Sequence, residues 1–215
     1  MKAVIVAHGD TAASDRVAAA GADLVIAADG GALALERWGI LPHVAVGDFD
    51  SLGEEGLQLL AARGTTIVRH EAAKDASDLE LALDHALASG ATEVLLLGIF
   101  GGARLDHALA NAMLLADPRF RGRNVRAVHA STGIRGLFSG ERADLDGPVG
   151  STVTLLPVHA DAVGVRTSGL RFPLAGETLR FGRSRGLSNV VSSQPAWVSL
   201  EDGSLLVIEI REGGS

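Results

Sequence analysis

Six short, nearly continuous apolar runs rich in β-branched residues mark the first 130 residues of the chain. Such runs are typical of strands that are buried on both faces of a parallel sheet. Stretches of helical periodicity separate them, and this alternation predicts a doubly wound α/β domain with right-handed crossovers. The predicted strands are 2–8, 23–29, 43–48, 65–70, 93–99 and 125–130, and the predicted helices are 14–20, 31–38, 53–63, 78–89 and 106–116.

The helix predicted over 78–89 has the clearest pattern. Its apolar residues recur at i, i+3 and i+4 from Leu79 to Leu87, which places them on one face. Ser77 and Glu80 have the spacing of a capping box, in which the serine hydroxyl accepts a backbone N–H of the first turn. The helix is therefore expected to begin just after Ser77.

The pattern changes after about residue 131. Short alternating runs follow, separated by Gly, Pro, Asn and Asp, and helical periodicity is absent. This pattern predicts an antiparallel β-sandwich or barrel. We therefore predict two domains, an α/β domain over 1–131 and an all-β domain over 132–215, which is expected to be a sandwich.

Composition and charge narrow the classes of function. The chain has no cysteine, which excludes a disulfide scaffold and thiolate metal sites and agrees with a reducing cytoplasm. A net charge of −7 and 4% aromatic residues argue against a nucleic-acid binder. No apolar run approaches the roughly 18 residues of a membrane helix. We expect a cytoplasmic protein without nucleic-acid or membrane partners.

Carboxylates gather at the carboxyl ends of the predicted strands, the edge at which open α/β sheets bind ligands. At neutral pH such a group of acids repels itself unless a cation intervenes. Mg²⁺ suits this position because it binds one or two carboxylates together with water and substrate phosphates. The acids at this edge are Asp29, Asp48, Asp50, Asp75, Asp78 and Asp106.

Several of these acids have simpler explanations when each is taken alone. Asp78 is placed to interact with the helix dipole, and Asp29 precedes two glycines that suit a turn. Asp48 and Asp50 form either an acidic turn or one face of a metal site, since residues i and i+2 of an extended segment project to the same side. His107 is either a packing residue or a ligand. The grouping of all the acids at one edge favours a site.

Four sequence blocks resemble the thiamine pyrophosphokinase (thiamin diphosphokinase) family across nearly the whole chain. They are "AADGGALALERWGILPHVAVGDFDSL", "KDASDLELAL", "GIFGGARLDHALAN" and the late "GLRFPL…GLSN". The resemblance implies a transferase that moves the pyrophosphoryl group of ATP to the hydroxyl of thiamine and releases AMP. It also implies an α/β catalytic domain, a thiamine-binding β-sandwich and a homodimer.

The resemblance also implies roles for individual residues. Asp48, Asp50 and Asp78 would be the Mg²⁺-linked acids. The ATP and catalytic site would be completed by Asp29, Lys74, Asp75, Arg104 and Asp106. Independently of the resemblance, Gly30, Gly101 and Gly102 would let backbone N–H groups come close to ATP phosphates. Phe172, Ser188 and Asn189 would help to hold thiamine. The sequence departs from the family pattern GGRxDH at Ala103, which makes it "GGARLDH".

Two other functions stay open at this point. One is a pyrophosphokinase for another alcohol, such as a hydroxymethyl pterin, and the other is a non-catalytic nucleotide-binding regulatory module on the same fold. The acid that accepts the hydroxyl proton is either Asp78 or Asp106.

Overall fold

A computed structural model describes residues 1–70 and 75–211. The chain forms two compact units. The first holds Met1–Asn111 and Ala127–Ala130, and the second holds Ala112–Arg126 and the chain from Ser131 onward. Within the described residues, no helix is both long and apolar enough to cross a membrane.

The first unit contains a parallel sheet with helices between its strands, as predicted. Hydrogen-bonded strands follow the order β5-β1-β2-β3-β4, and every pair in this series is parallel. The strands of this unit are β1 (Lys2–Val6), β2 (Leu24–Ala28), β3 (Val44–Gly47), β4 (Thr66–Arg69) and β5 (Glu93–Leu97), and its helices are α1 (Ala13–Ala20), α2 (Gly31–Trp38), α3 (Gly53–Ala62) and α4 (Asp78–Ala88). Helix α5 (Leu105–Leu114) and strand β6 (Asn124–His129) each belong partly to the first unit and partly to the second.

The strand order reverses between β1 and β5. The chain proceeds outward from β1 to β4 and then returns, so that β5 pairs with the other edge of β1. Pairing continues past both strands, because the Gly9 N–H donates to the Gly98 carbonyl over 2.6 Å. A reversal of this kind opens a crevice at the carboxyl edge of the sheet.

The burial of the strands in this unit explains why their sequences are continuous apolar runs. Residues of β1, β2 and β5 are almost all fully buried, as expected for strands covered on both faces. Helix α4 buries Leu79, Ala82, Leu83 and Ala86. It begins after Ser77, whose hydroxyl accepts the Glu80 N–H over 3.2 Å.

The second unit contains two antiparallel four-strand arrangements, in the orders β12-β9-β14-β7 and β11-β10-β13-β8. One apolar cluster takes residues from both, including Leu155 and Val207 from the first and Val165 and Val198 from the second. The antiparallel all-β region is thus confirmed. Its strands are β7 (Thr132–Phe138), β8 (Arg142–Asp144), β9 (Thr152–Pro157), β10 (Ala162–Ser168), β11 (Ala175–Leu179), β12 (Asn189–Val190), β13 (Trp197–Ser199) and β14 (Ser204–Ile210).

Candidate active site at the carboxyl edge of the parallel sheet

A cavity of about 630 Å³ lies in the first unit, at the carboxyl edge of its sheet. The loops after β1, β2, β3 and β5 line it, together with the beginnings of α4 and α5. Its lining includes seven of the residues predicted for the metal, ATP and catalytic site, namely Asp29, Asp48, Asp75, Asp78, Gly101, Gly102 and Arg104. Residues far apart in the sequence therefore meet at the edge where a ligand was expected.

Three other predicted residues of this unit are placed differently. Within the described chain, the cavity lining does not include Gly30, Asp50 or Asp106. Asp50 and Asp106 are exposed, whereas Gly30 is buried. Lys74 lies outside the described residues.

The segment Asp48–Phe49–Asp50 forms a tight turn. Phe49 has a φ of 65° and is only 2% exposed. The Asp48 carboxylate accepts the Asp50 N–H over 3.3 Å. The expectation of an extended segment here is wrong, because burial of Phe49 in a left-handed conformation turns the chain. Asp48 thus serves the turn and also faces the cavity.

Asp29 is held in a strained and well-defined position after β2. Its φ is 44°, a conformation that costs a non-glycine residue free energy and is frequent at functional sites. Its Oδ2 accepts the Ser51 hydroxyl over 3.0 Å, while its buried Oδ1 has no hydrogen-bond partner among the described residues. A buried carboxylate oxygen without a partner favours an additional donor or a cation beside it.

The carboxylates of the cavity are ligands of the kind that Mg²⁺ binds. In the described chain, no three His, Asp or Glu side chains are grouped closely enough to hold a metal by themselves. Mg²⁺ does not need such a cage, since it keeps waters and substrate phosphates in its coordination shell. Asp48 and Asp78 line one cavity. The set Asp48, Asp50 and Asp78 stays a prediction.

Arg104 and Asp106 form an exposed two-pronged ion pair at the start of α5. Arg104 Nε donates to Asp106 Oδ1 over 2.9 Å, and its second nitrogen donates to Oδ2 over 2.7 Å. These hydrogen bonds hold the pKa of Asp106 well below its ordinary value and raise the pKa of Arg104. Asp106 therefore binds a proton poorly while the pair is intact.

Sequence reasoning missed the contribution of the loop after β1. His8 and Gly9 line the cavity. His107 of α5, which the sequence left open as a packing residue or a ligand, lines it as well. The His8 ring packs on Gly30, where an added Cβ would lie 2.4 Å from Nδ1. His8 directly follows the first predicted strand, and this position at the carboxyl end of a strand was the sequence signal for a site residue.

Glycine is also required at position 101, because the Asp10 side chain leaves no room for a Cβ atom there. A Cβ there would lie 2.2 Å from an Asp10 carboxylate oxygen, and the φ is 95°. Gly30 and Gly101 thus have packing reasons for being glycine, independently of any approach to phosphate.

The predicted thiamine residues lie in the second unit. Phe172 leaves 55% of its surface exposed, which is high for a phenylalanine. Ser188 is exposed, with a φ of 56°, and its N–H donates to the Thr154 hydroxyl. The Asn189 side chain binds the backbone of Phe172.

Two family models match the chain in the order expected from its two regions. The model described as "Thiamin pyrophosphokinase, catalytic domain" matches residues 17–127. The model described as "Thiamin pyrophosphokinase, vitamin B1 binding domain" matches residues 142–205. The first therefore includes the residues after β2, β3 and β5, and the second includes Phe172, Ser188 and Asn189.

Individual proteins agree with the family models. The chain is 29% identical over 186 residues to thiamine pyrophosphokinase of Bacillus subtilis, covering 86% of each chain. The crystal structure of thiamine pyrophosphokinase from Bacillus subtilis superposes with a TM-score of 0.86 at 27% identity, over 99% of this chain and 100% of that one. The structure from Geobacillus thermodenitrificans gives 0.82 at 27% identity, over 100% of this chain and 99% of that one.

Proposed function

Because this chain belongs to the thiamin pyrophosphokinase family, we propose that it transfers the pyrophosphoryl group of ATP to the hydroxyl of thiamine. The products are thiamine diphosphate and AMP. The carrying observation is that a catalytic model and a vitamin B1 binding model match successive parts of one chain. Neither a pterin pyrophosphokinase nor a non-catalytic module is supported by these matches.

The first domain, 1–131, would bind ATP with Mg²⁺. Arg104 suits the phosphates because its planar guanidinium forms two parallel hydrogen bonds to such groups. Gly101 and Gly102 are exposed and, without side chains, would let backbone N–H groups approach phosphate oxygens. Asp29, Gly30 and Lys74 complete the predicted ATP site, and Asp75 is a predicted catalytic residue. Asp48, Asp50 and Asp78 would hold the ion, which when bound neutralises phosphate charge during transfer.

The transfer needs positioning and charge neutralisation more than covalent chemistry by the protein. The thiamine hydroxyl oxygen forms a bond to the β-phosphorus, the bond from that phosphorus to the α–β bridging oxygen breaks, and AMP leaves with the electron pair. The hydroxyl proton passes to a carboxylate. Asp78 is favoured over Asp106 for this role, because Asp78 lines the cavity, whereas Asp106 is exposed and is not part of its described lining.

A single assay tests the proposed function. Purified protein, ATP, Mg²⁺ and thiamine should yield equal amounts of AMP and thiamine diphosphate by chromatography. Removal of the metal by a chelator should stop the reaction, and a hydroxymethyl pterin should not replace thiamine. The proposal fails if the complete mixture gives no thiamine diphosphate.

The second domain, 132–215, would bind thiamine through Phe172. Replacing Phe172 by alanine should raise KM for thiamine about tenfold, since an aromatic stacking contact contributes roughly 0.5–1.5 kcal/mol beyond area burial. KM for ATP should stay nearly constant, as expected when only uniform binding of one substrate is lost. Steady-state kinetics with each substrate varied in turn checks this, and equal effects on both substrates would contradict it.

A homodimer with shared acceptor sites is proposed from the family, and helix α5 supports it. The helix has no buried residue, yet Leu105, Leu109 and Met113 recur every four positions and are 71%, 58% and 55% exposed. An apolar stripe of this kind usually marks an interface. Light scattering should give about twice the 22.1 kDa chain mass. Leu109→Glu should shift the measured mass toward that of the monomer. A wild-type protein that is monomeric and fully active would contradict the proposed dimer.

A cytoplasmic location is proposed as well. It rests on the absence of cysteine and on the absence of any long apolar run in the sequence. Fractionation of cells that express the full chain, followed by immunoblotting, tests this location.

A further inference from the structure

The side-chain amide of Asn189 is hydrogen-bonded to backbone groups of the protein. Its Oδ1 accepts the N–H of Phe172 over 3.0 Å and the N–H of Val190 over 2.9 Å. Its Nδ2 donates to the Phe172 carbonyl over 2.7 Å. An amide has two acceptor and two donor positions, so three of the four are used. The orientation of the amide is fixed as well, because only the oxygen can accept the two N–H groups.

At Phe172 the Asn189 side chain takes the place of a neighbouring backbone in the strand pairing. Residues 170 and 191 form an antiparallel bridge, and the Arg171 N–H donates to the Val190 carbonyl over 2.8 Å. At Phe172 this pairing passes to the Asn189 side chain, which binds both the N–H and the C=O of the same residue. Pro173 follows and has no N–H to continue the pairing.

Phe172 therefore has an exposed ring on a backbone whose conformation is fixed by its neighbours. Leu170 and Leu174, on either side of Phe172, are only 5% and 4% exposed. Proline at the next position restricts Phe172 to extended conformations. Because the backbone is held, only the side-chain torsions of the ring remain free, so less conformational freedom is lost when a flat ligand stacks on it, which improves affinity without a new contact.

We propose that Asn189 is a positioning residue that presents the ring of Phe172 to the acceptor substrate, and that it does not bind the substrate through its own amide. The inference rests on the proposed function, since it takes thiamine as the substrate at Phe172. It separates Asn189 from Ser188, which is exposed beside it and has no side-chain hydrogen bond among the described residues.

A double-mutant cycle tests the inference. Asn189→Ala should raise KM for thiamine about fivefold, no more than Phe172→Ala does, and leave KM for ATP and kcat within about twofold. In a Phe172→Ala background, Asn189→Ala should add less than about twofold. Penalties that multiply in the double variant would mean that Asn189 contacts thiamine directly, and would overturn the inference.

Gln194 supplies a matched control in the same unit. Its amide also joins two backbone groups, donating to the Gly147 carbonyl and accepting the Ala196 N–H, each over 2.8 Å. Gln194→Ala should lower the melting temperature about as much as Asn189→Ala but leave KM for thiamine unchanged. An equal rise in KM for thiamine in both variants would mean that Asn189 acts only through the stability of the domain, and would overturn the inference.

A conservative variant covers the case in which Asn189→Ala does not fold. Asn189→Asp keeps an acceptor for the two N–H groups but loses the donor to the Phe172 carbonyl, so its KM should fall between wild type and Asn189→Ala. A KM equal to that of wild type would overturn the inference. A wild-type protein that makes no thiamine diphosphate would instead refute the proposed function, and calorimetric titration with thiamine would then show whether Phe172 binds it at all.

Discussion

Replacing Asp48 by asparagine should lower kcat by about 100-fold or more while the protein stays folded. The amide oxygen can still accept the Asp50 N–H, so the turn is preserved. What disappears is one negative charge in the cavity that Asp48 shares with Asp29 and Asp78. Removal of a single preorganised electrostatic contact commonly costs about 10²–10³ in kcat. Steady-state kinetics over a series of Mg²⁺ concentrations measures the effect.

Asp23 offers a matched control for this substitution. It also accepts a backbone N–H, that of Lys2 over 2.7 Å, but it precedes β2 and so lies at the opposite edge of the sheet. Asp23→Asn should leave kcat unchanged. Without metal, Asp48→Asn should melt at the wild-type temperature or above it, because repulsion among the acids is relieved. If Asp48→Asn keeps activity within a few-fold, Asp48 is only a turn residue.

The elements of the first unit could be predicted because their signals are local or nearly so. Strands buried on both faces leave continuous apolar runs, and β1 and β5 contain almost no polar residue. Helix α4 carries both its stripe and its cap in its own sequence. The edge on which the acids gather also follows, since parallel strands all present their carboxyl ends on one side.

Side-chain partners were not predictable in the same way. Phe49 could have continued the strand, and only its burial in the tertiary structure explains why Asp48 and Asp50 lie in a turn instead. The pairing of Asp106 with Arg104 depends on two rotamers, which sequence spacing does not specify. The attachment of Asn189 to Phe172 links residues 17 positions apart. Each case is decided by contacts between segments and not by a local pattern.

Arg104→Ala should lower kcat/KM for ATP by about 100-fold. A charge-assisted hydrogen bond contributes about 1.5–3 kcal/mol, and a tenfold change corresponds to about 1.4 kcal/mol. Arg104→Lys keeps the charge but not the two-pronged geometry, so it should recover only part of the loss. The ion pair with Asp106 is 66% and 65% exposed, so the melting temperature near neutral pH should barely change. Kinetics with ATP varied, and thermal unfolding of each variant, measure these effects.

Substitution of Asp106, the other member of the ion pair, should have the opposite effect on binding of ATP. To bind a phosphate with both prongs, Arg104 must release Asp106, so Asp106→Asn should tighten binding of ATP a few-fold in titrations without thiamine. In Arg104→Ala the pKa of Asp106 should rise toward its ordinary value, because the hydrogen bonds that depress it are gone. Any stability from the pair exists above the unfolded-state pKa and is lost as pH falls through the depressed folded-state pKa. Weaker ATP binding in Asp106→Asn would mean that Arg104 needs Asp106 to orient it, and that the pair is part of the bound state.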